Sequence, residues 1–295
     1  MKRWQSLVGL LTVAAASYLS VGQAHAQSKA GGNSKTEAQA LSTPKQEDGF
    51  GTKLPDGFSR AFVISQVAPK ENPASALLVG VKPWPARANS YVAIVCLAES
   101  TDDAKRRREN APDCDARDPF SASVWLGVFE KTSDNPPTLV ARSPAAVDML
   151  PDWSDTNIDT QQAFGDTATM PELWSRFDLA PYQLRAGDYA FGIRAGWSES
   201  YAGGGGSFEG LYLFRIDGKE IRPIFAEPMS FSKLIAGEWH KDGTRDHEET
   251  GATNTLIVLP GQTSGFHDIQ LRELHGKWRR TYKWTSQAGS YAADH

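Results

Sequence analysis

The sequence predicts an all-β fold with minor helix, built either as a β-sandwich or as an irregular, propeller-like array of hairpins. Short apolar runs bounded by Gly, Pro, Asn or Asp recur along most of the chain, as expected for strands separated by tight turns. Asp217-Gly218 lies between two such runs and is a strong hairpin signal. Of the 295 residues, 40% are apolar and 22% charged, which excludes a disordered or collagen-like chain.

The predicted strands follow from these apolar runs. Two stretches, 91–97 and 124–129, are apolar on both faces, which is typical of strands covered on both sides. Three hairpins with similar spacing are predicted at 129–139, 214–224 and 271–282. The full set of predicted strands is 61–67, 76–81, 91–97, 122–130, 138–142, 188–195, 210–216, 221–226, 254–259, 268–274 and 277–284.

One short helix is predicted near Thr169. Thr169 and Glu172 have the spacing of a capping box, in which each side chain satisfies a backbone N–H at a helix start. Leu173, Trp174 and Phe177 follow at helical spacing. We expect these apolar side chains in the core rather than around a cofactor.

The N-terminal residues have the order of a cleaved signal peptide. Lys2 and Arg3 precede an apolar run at 7–21, and a small-residue site ends at Ala26, so residues 1–26 are predicted to be removed. No Cys follows this site, and no later stretch approaches 18 uninterrupted apolar residues. We therefore predict a periplasmic or secreted protein without a lipid anchor or membrane insertion.

The rest of the chain divides into a leader and a domain. Residues 27–55 contain almost no large apolar side chain, so they are predicted to form a flexible leader. Residues 56–295 are predicted to form a single β-rich domain, with a subdivision near 145–185 left open. The net charge is −4 and becomes more negative once the signal peptide is removed, so we expect no binding to nucleic acid.

The two cysteines, Cys96 and Cys114, are predicted to form a disulfide bond. In an oxidising compartment this bond would close a local loop and stabilise the fold by about 3 kcal/mol. Free thiols or an intermolecular bond are the alternatives. The loop contains a basic run at 105–108, which is expected in solvent, either simply solvated or facing an acidic partner.

Oxygen-bearing side chains cluster at 238–246, the pattern of a calcium loop. Asp242, Gly243 and Asp246 match the Asp-rich loop of FG-GAP type propeller repeats, which residues 236–271 resemble in part. Glu238 and His240 stand where that family has Asp or Asn. The resemblance implies a propeller-like fold and a calcium site at Glu238, Asp242 and Asp246. The alternative is a solvated turn that bends at Asp242-Gly243.

Two other sets of residues contain side chains of the kinds that bind metal ions. The stretch 155–166 has the outline of an EF-hand loop, but Thr160 stands where that loop needs Gly. His240, His247 and His267 would be ligands for zinc if the fold gathered them near a carboxylate. Their spacing matches no zinc motif, so hydrogen-bonded surface imidazoles are the alternative.

A glycine-rich loop is the main candidate for ligand contact. Gly203, Gly204, Gly205 and Gly206 follow Tyr201 between two predicted strands. Four glycines either leave a loop mobile or let its backbone amides approach a ligand closely. We predict ligand contacts from Tyr201, the four glycines, Trp239 and His240. The alternative is that the glycine-rich loop is only a flexible hairpin tip.

The sequence carries no strong catalytic motif. A Gly-x-Ser-x-Gly elbow is absent, and Ser230 and Lys233 form a Ser-x-x-Lys match without its companion motifs. We therefore predict an exported binding or interaction protein whose partner is an envelope protein or a glycan. The alternative is a metal-dependent exported hydrolase of a glycan or phosphoester, with Asp242, Asp246, His240 and Glu238 at its centre. The ligand and the oligomeric state are left open.

Overall fold

The computed structural model describes residues 48–107, 113–117, 120–133, 135–158, 169–201 and 203–294. The predicted signal peptide and residues 27–47 of the predicted leader lie outside this part of the chain. Residues Lys45–His295 belong to one compact unit. The helices in the described residues have at most eight residues, too few to cross a bilayer.

The prediction of an all-β fold with minor helix is confirmed. The described residues contain two short α-helices, α1 (Arg60–Val67) and α2 (Thr101–Arg107), and a 3₁₀ turn at Pro73–Ser75. They also contain 13 strands: β1 (Ala76–Pro83), β2 (Ser90–Ala98), β3 (Cys114–Asp115), β4 (Ala122–Glu130), β5 (Thr138–Arg142), β6 (Leu173–Arg185), β7 (Asp188–Tyr201), β8 (Gly204–Asp217), β9 (Glu220–Trp239), β10 (Arg245–Thr263), β11 (Phe266–Glu273), β12 (Arg279–Thr285) and β13 (Ser290–Ala293).

All 13 strands belong to one hydrogen-bonded network that forks at β9. Strands β1, β2, β4 and β5 are successive antiparallel neighbours, and β5 meets β9 through a single parallel bridge between Arg142 and Glu220. From β9 one branch continues through β8 and β7 to β6, and the other through β10, β11 and β12 to β13. Strand β10 begins the second branch, because its residues 245–253 pair with β9 and its residues 254–263 pair with β11.

Apolar side chains fill the space between the two branches. Leu211 and Leu213 of β8 and Phe225 of β9 pack with Leu271 and Tyr282 of the second branch in one buried cluster. The burial of these apolar side chains contributes most of the stability of such a β fold. The candidate site described below lies beside this buried cluster.

Residues 48–51 connect strand β1 with strand β6, although they fall within the predicted flexible leader. The Phe177 N–H donates to the Gly49 carbonyl at 3.1 Å, and the Val81 N–H donates to the Gly51 carbonyl at 3.1 Å. The segment therefore joins β6 to β1, and we call this junction the seam. Phe50 is 3% exposed and packs edge-on against Phe177, with 5.1 Å between ring centroids. The folded domain thus includes residues 48–55.

The seam is close-packed because glycines occupy both sides of it. A Cβ atom on Gly80 would lie 2.5 Å from the Phe50 carbonyl oxygen, and one on Gly51 would lie 2.3 Å from that of Val81. Gly51 also has a φ angle of +73°, which other L-residues adopt rarely. Both positions therefore require glycine.

The predicted strand at 61–67 is wrong, since these residues form helix α1. The Ser59 hydroxyl accepts a hydrogen bond from the Phe62 N–H at 3.2 Å and caps the helix. Val63, Ile64 and Val67 are the buried residues of the helix. A short apolar run fits a strand and a buried helix equally well, so periodicity alone did not distinguish them.

The predicted helix at 169–177 is also wrong. Strand β6 begins at Leu173 and pairs with β7 from that residue on. The Glu172 carboxylate accepts hydrogen bonds from the Ser198 backbone N–H at 2.9 Å and from its hydroxyl at 2.7 Å. Glu172, the glutamate of the predicted capping box, therefore links the start of β6 to Ser198 in β7.

The three predicted hairpins are confirmed as the β4–β5, β8–β9 and β11–β12 pairs. Gly218, at the bend of the β8–β9 pair, has a φ angle of +62°. Several strands are longer than predicted. Strand β9 has 20 residues and β10 has 19, since both continue past the apolar run that marked them.

The predicted disulfide bond is confirmed. Cys96 in β2 and Cys114 in β3 are bonded, with their Cα atoms 5.8 Å apart. Both residues are at most 1% exposed, so the bond lies inside the domain. It ties the short strand β3, which pairs with the start of β6, to β2.

We expect the double variant Cys96→Ala/Cys114→Ala to lose about 3 kcal/mol of unfolding free energy, because the unfolded chain regains the entropy of an open loop. Urea unfolding followed by tryptophan fluorescence measures this loss. A reducing agent should destabilise the wild type to a similar extent and leave the double variant unchanged. Equal stability of the oxidised wild type and the double variant would contradict the expectation.

The basic run predicted in solvent is partly buried. Lys105 and Arg106 in α2 are exposed, but Arg107 is buried. The Arg107 guanidinium donates to the backbone carbonyls of Asp115 and Ser121 and forms an ion pair with the helix residue Asp103 at 3.4 Å. Arg107 therefore anchors the disulfide-closed loop rather than facing a partner.

Candidate functional site

The predicted glycine loop is shorter than expected. Gly203 lies in the turn between β7 and β8 with a φ angle of +90°, whereas Gly204, Gly205 and Gly206 are part of β8. Tyr201 is the last residue of β7, and its side chain lies outside the described part of the chain. The three strand glycines pair with β7 on one side and β9 on the other.

The other predicted contact residues lie at the neighbouring hairpin tip, between β9 and β10. Trp239 is 70% exposed, and the Arg245 guanidinium lies 5.3 Å from its ring centroid. A Cβ atom on Gly203 would lie 2.7 Å from Arg245 Nη1, so the two tips are adjacent. The fold thus brings the predicted residues to the same end of the sheet. None of the four cavities given below is lined by Gly203, Trp239 or His240.

The predicted calcium ligands are not gathered around a common point. Asp242 Oδ1 accepts hydrogen bonds from the Thr244 N–H and hydroxyl, and these bonds lower the pKa of Asp242. His240 Nε2 is 2.7 Å from Asp246 Oδ1. Within the described residues no three His, Cys, Asp or Glu side chains are placed to hold a metal ion. The structure therefore does not assemble Glu238, Asp242 and Asp246 into the predicted site.

The strand glycines have a packing role that the sequence did not reveal. Lys233 Nζ in β9 and Glu199 Oε1 in β7 form a buried ion pair at 3.6 Å, although β8 lies between these two strands. Gly206 is the β8 residue paired with both. A Cβ atom on Gly206 would lie 2.5 Å from Glu199 Oε1, so glycine leaves room for the pair. The lysine of the Ser-x-x-Lys match is thus part of a buried ion pair.

Four cavities of the fold have volumes of about 480, 770, 360 and 400 Å³. The last of them, which we call the Glu227 cavity, combines apolar walls with a buried carboxyl group. It lies between the first half of β9, the segment 149–154 and strands β12 and β13. It is lined by Met149, Leu150, Asp152, Ser154, Phe225, Ala226, Glu227, Arg280, Tyr291, Ala292 and Ala293.

Glu227 is the unusual group of this cavity. The residue is 6% exposed, and its Oε2 atom is fully buried without a hydrogen-bond partner in the described structure. Burial raises the pKa of Glu227 well above its usual value, and the charge of Asp152 raises it further. Arg280 and the neighbouring Tyr282 hydroxyl lower this pKa, but by less. The environment therefore favours the protonated, neutral carboxyl group.

Tyr282 places a second buried polar atom beside Glu227. Its ring is 1% exposed and packs edge-on against Phe225 at 5.1 Å. Its hydroxyl faces the Glu227 carboxyl and has no other hydrogen-bond partner among the described residues. Burial raises the pKa of Tyr282, so the phenol keeps its proton. A protonated carboxyl and a phenol side by side can each donate one hydrogen bond.

Arg280 is held in place by the 152–155 segment. Its Nη1 atom donates to the Ser154 carbonyl at 2.6 Å, and its Nη2 atom lies 3.8 Å from the Asp152 carboxylate and 3.9 Å from that of Asp155. The arginine side chain is 10% exposed, whereas the two aspartates face solvent more fully. The positive charge of Arg280 is therefore compensated within the site.

The Glu227 cavity lies beside the first half of β9 because most of this half has a described strand partner on one side only. Residues 221–228 pair with β8, and on the other side the Ala226 carbonyl accepts a hydrogen bond from the Asp152 N–H at 3.3 Å. Pro223 and Pro228 in this stretch lack N–H donors, which is typical of strands with an open edge. Sequence reasoning missed the site because the predicted strand 221–226 stopped one residue before Glu227.

Comparison with known proteins gives no family for this chain. A scan against protein-family models, a search of curated proteins and a search of solved structures each found no match. The partial resemblance of residues 236–271 to FG-GAP repeats stays a prediction.

Proposed function

We propose that this protein is an exported ligand-binding protein and that its ligand occupies the Glu227 cavity. The observation that carries the proposal is the buried carboxyl group of Glu227, which lacks a partner for Oε2 and lines a cavity with apolar walls. Buried polar atoms nearly always have partners, so an exception in a cavity indicates a functional group. Export is supported by the buried disulfide bond and by the predicted signal peptide.

The chemistry of the cavity favours an uncharged ligand rich in oxygen. Protonated Glu227 and the Tyr282 hydroxyl are donors, so the ligand should present acceptor oxygens to them. Arg280 already faces two aspartates, so it offers little net attraction to an anion. Phe225 and Tyr291 provide apolar walls for the carbon face of a sugar ring. A neutral sugar unit of an envelope glycan fits these requirements and the volume.

Calorimetric titration with neutral mono- and disaccharides, and with the matching uronic acids, tests the proposal. We expect the wild type to bind a neutral sugar more tightly than its uronic acid. Glu227→Leu removes the polar group at similar size and should weaken binding by about tenfold or more, whereas Glu227→Gln keeps a donor and should bind within a few-fold of the wild type.

The exposed glutamate Glu248 supplies the matched control, and Glu248→Leu should bind like the wild type. Each variant is first checked for native far-ultraviolet circular dichroism. Failure of every sugar to bind, or equal binding by the wild type and Glu227→Leu, would contradict the assignment of this cavity to a neutral sugar.

A further inference from the structure

The largest of the four cavities, of about 770 Å³, lies where the sheet is incompletely paired. Strands β5 and β9 share one bridge, between Arg142 and Glu220, and the space beside it is bordered by helix α1. Arg142 Nη1 donates to the Gln66 carbonyl of the helix at 3.0 Å. We call this space the β5–β9 cavity. It shares no lining residue with the Glu227 cavity.

The charged side chains lining the β5–β9 cavity are mostly positive. Lys70, Arg142 and Lys219 line it, and none of these three forms an ion pair with a residue in the described part of the chain. Glu220 is the one acidic residue in the lining, and its carboxylate is bonded to Arg222 at 2.7 Å. The protein as a whole carries a net charge of −4, so this local excess of positive charge is distinctive.

The walls of the same cavity are apolar, and one of the wall residues carries a buried donor. Phe62, Trp125, Pro137 and Leu139 contribute ring and aliphatic surface. Trp125 Nε1 is buried and has no hydrogen-bond partner in the described structure. An indole N–H can only donate, so this atom is satisfied only when an acceptor moves against it.

We propose that the β5–β9 cavity binds an organic anion with an apolar body. The body packs against Phe62, Trp125 and Leu139, and the carboxylate or phosphate group lies among the three cations. Arg142 uses one of its N–H groups on Gln66 and keeps others for an oxyanion. Lys70 and Lys219 are exposed, so they also attract the anion from solution.

The test compares three probes that share one apolar body: 2-naphthoate, 2-naphthyl phosphate and uncharged 2-naphthol. Binding is followed by the indole N–H signals in a ¹H–¹⁵N NMR spectrum, in which Trp125→Phe identifies the Trp125 signal by its loss. We expect the Trp125 signal to shift with both anions, and 2-naphthol to bind about tenfold more weakly or not at all. A preference for one of the two anions tells a carboxylate ligand from a phosphate ligand.

Two double variants separate charge from apolar binding. Lys70→Gln/Lys219→Gln should weaken the binding of both anions by about tenfold. It should also reduce the salt dependence of binding, because the charges of surface lysines are screened by salt. Lys241→Gln/Lys277→Gln, which removes two exposed lysines elsewhere, should bind like the wild type. Glu227→Leu should also leave anion binding unchanged, because the two cavities are separate.

Several results would overturn the proposal. These are equal binding of 2-naphthol and the anions, wild-type affinity in Lys70→Gln/Lys219→Gln, or an unmoved Trp125 signal at millimolar anion. Inorganic phosphate serves as the fourth probe, and binding as tight as that of 2-naphthyl phosphate would refute a role for the apolar walls.

Discussion

Phe50→Ala is expected to lower the free energy of unfolding by about 3 to 5 kcal/mol, the usual cost of removing a buried aromatic ring. Phe50 is 3% exposed and is packed against Phe177 at the seam. Its loss removes apolar contacts and leaves a cavity between β1 and β6. The backbone hydrogen bonds of Val81 and Phe177 to the segment 49–51 should then open more often.

Urea unfolding measures the stability loss, and amide hydrogen exchange locates it. In Phe50→Ala we expect the Val81 and Phe177 amides to exchange faster than the decrease in global stability alone explains. Lys53→Ala, at an exposed position in the same segment, should change stability by less than about 0.5 kcal/mol. A loss below about 1 kcal/mol in Phe50→Ala would show that residues 48–55 do not stabilise the domain.

Glu227→Gln is expected to make the protein more stable than the wild type at neutral and alkaline pH. The pKa of Glu227 is raised chiefly by burial and also by Asp152, so the folded wild type holds a proton that the unfolded chain releases. Wild-type stability therefore falls as pH rises from about 4.3, the ordinary pKa of glutamate, to the raised pKa in the folded protein. Glutamine has no proton to lose.

The expected slope is about 1.4 kcal/mol per pH unit for one group, over the range between its ordinary pKa and its raised pKa in the folded protein. Thermal or urea unfolding between pH 4 and pH 9 measures the difference between wild type and Glu227→Gln. The difference should be small at the acidic end and grow toward the alkaline end. Glu248→Gln, at an exposed position, should follow the wild type at every pH, and parallel curves for wild type and Glu227→Gln would refute the expectation.

Local sequence signals predicted the fold class well because turns and apolar runs are local. Asp217-Gly218 marks a hairpin by the φ angles that its turn needs, and Gly218 adopts one of them. Strand length was harder to predict. Strands β8 and β9 continue through Gly204–Gly206 and Pro228, residue types that usually interrupt strands, because neighbouring strands supply the backbone hydrogen bonds.

The candidate site was harder to predict than the fold because it depends on distant segments. Glu227, Arg280 and Asp152 come together only once β9, β12 and the 149–154 segment are packed. The sequence did contain a signal, an acidic residue between Ala226 and Pro228 in an apolar strand. By contrast, Trp239 and His240 stood out because they are large polar or aromatic residues in a loop, and the structure places them at an exposed hairpin tip.

The seam has a consequence for the order in which the chain folds. Gly51 can bond to Val81 as soon as β1 has been synthesised, but Gly49 bonds to Phe177, so the other half of the seam cannot form until the chain as far as β6 has been synthesised. Contacts of such high sequence separation form late, because a long loop must close before they can be made. The contact between the segment 48–51 and β6 is therefore expected to form late in folding.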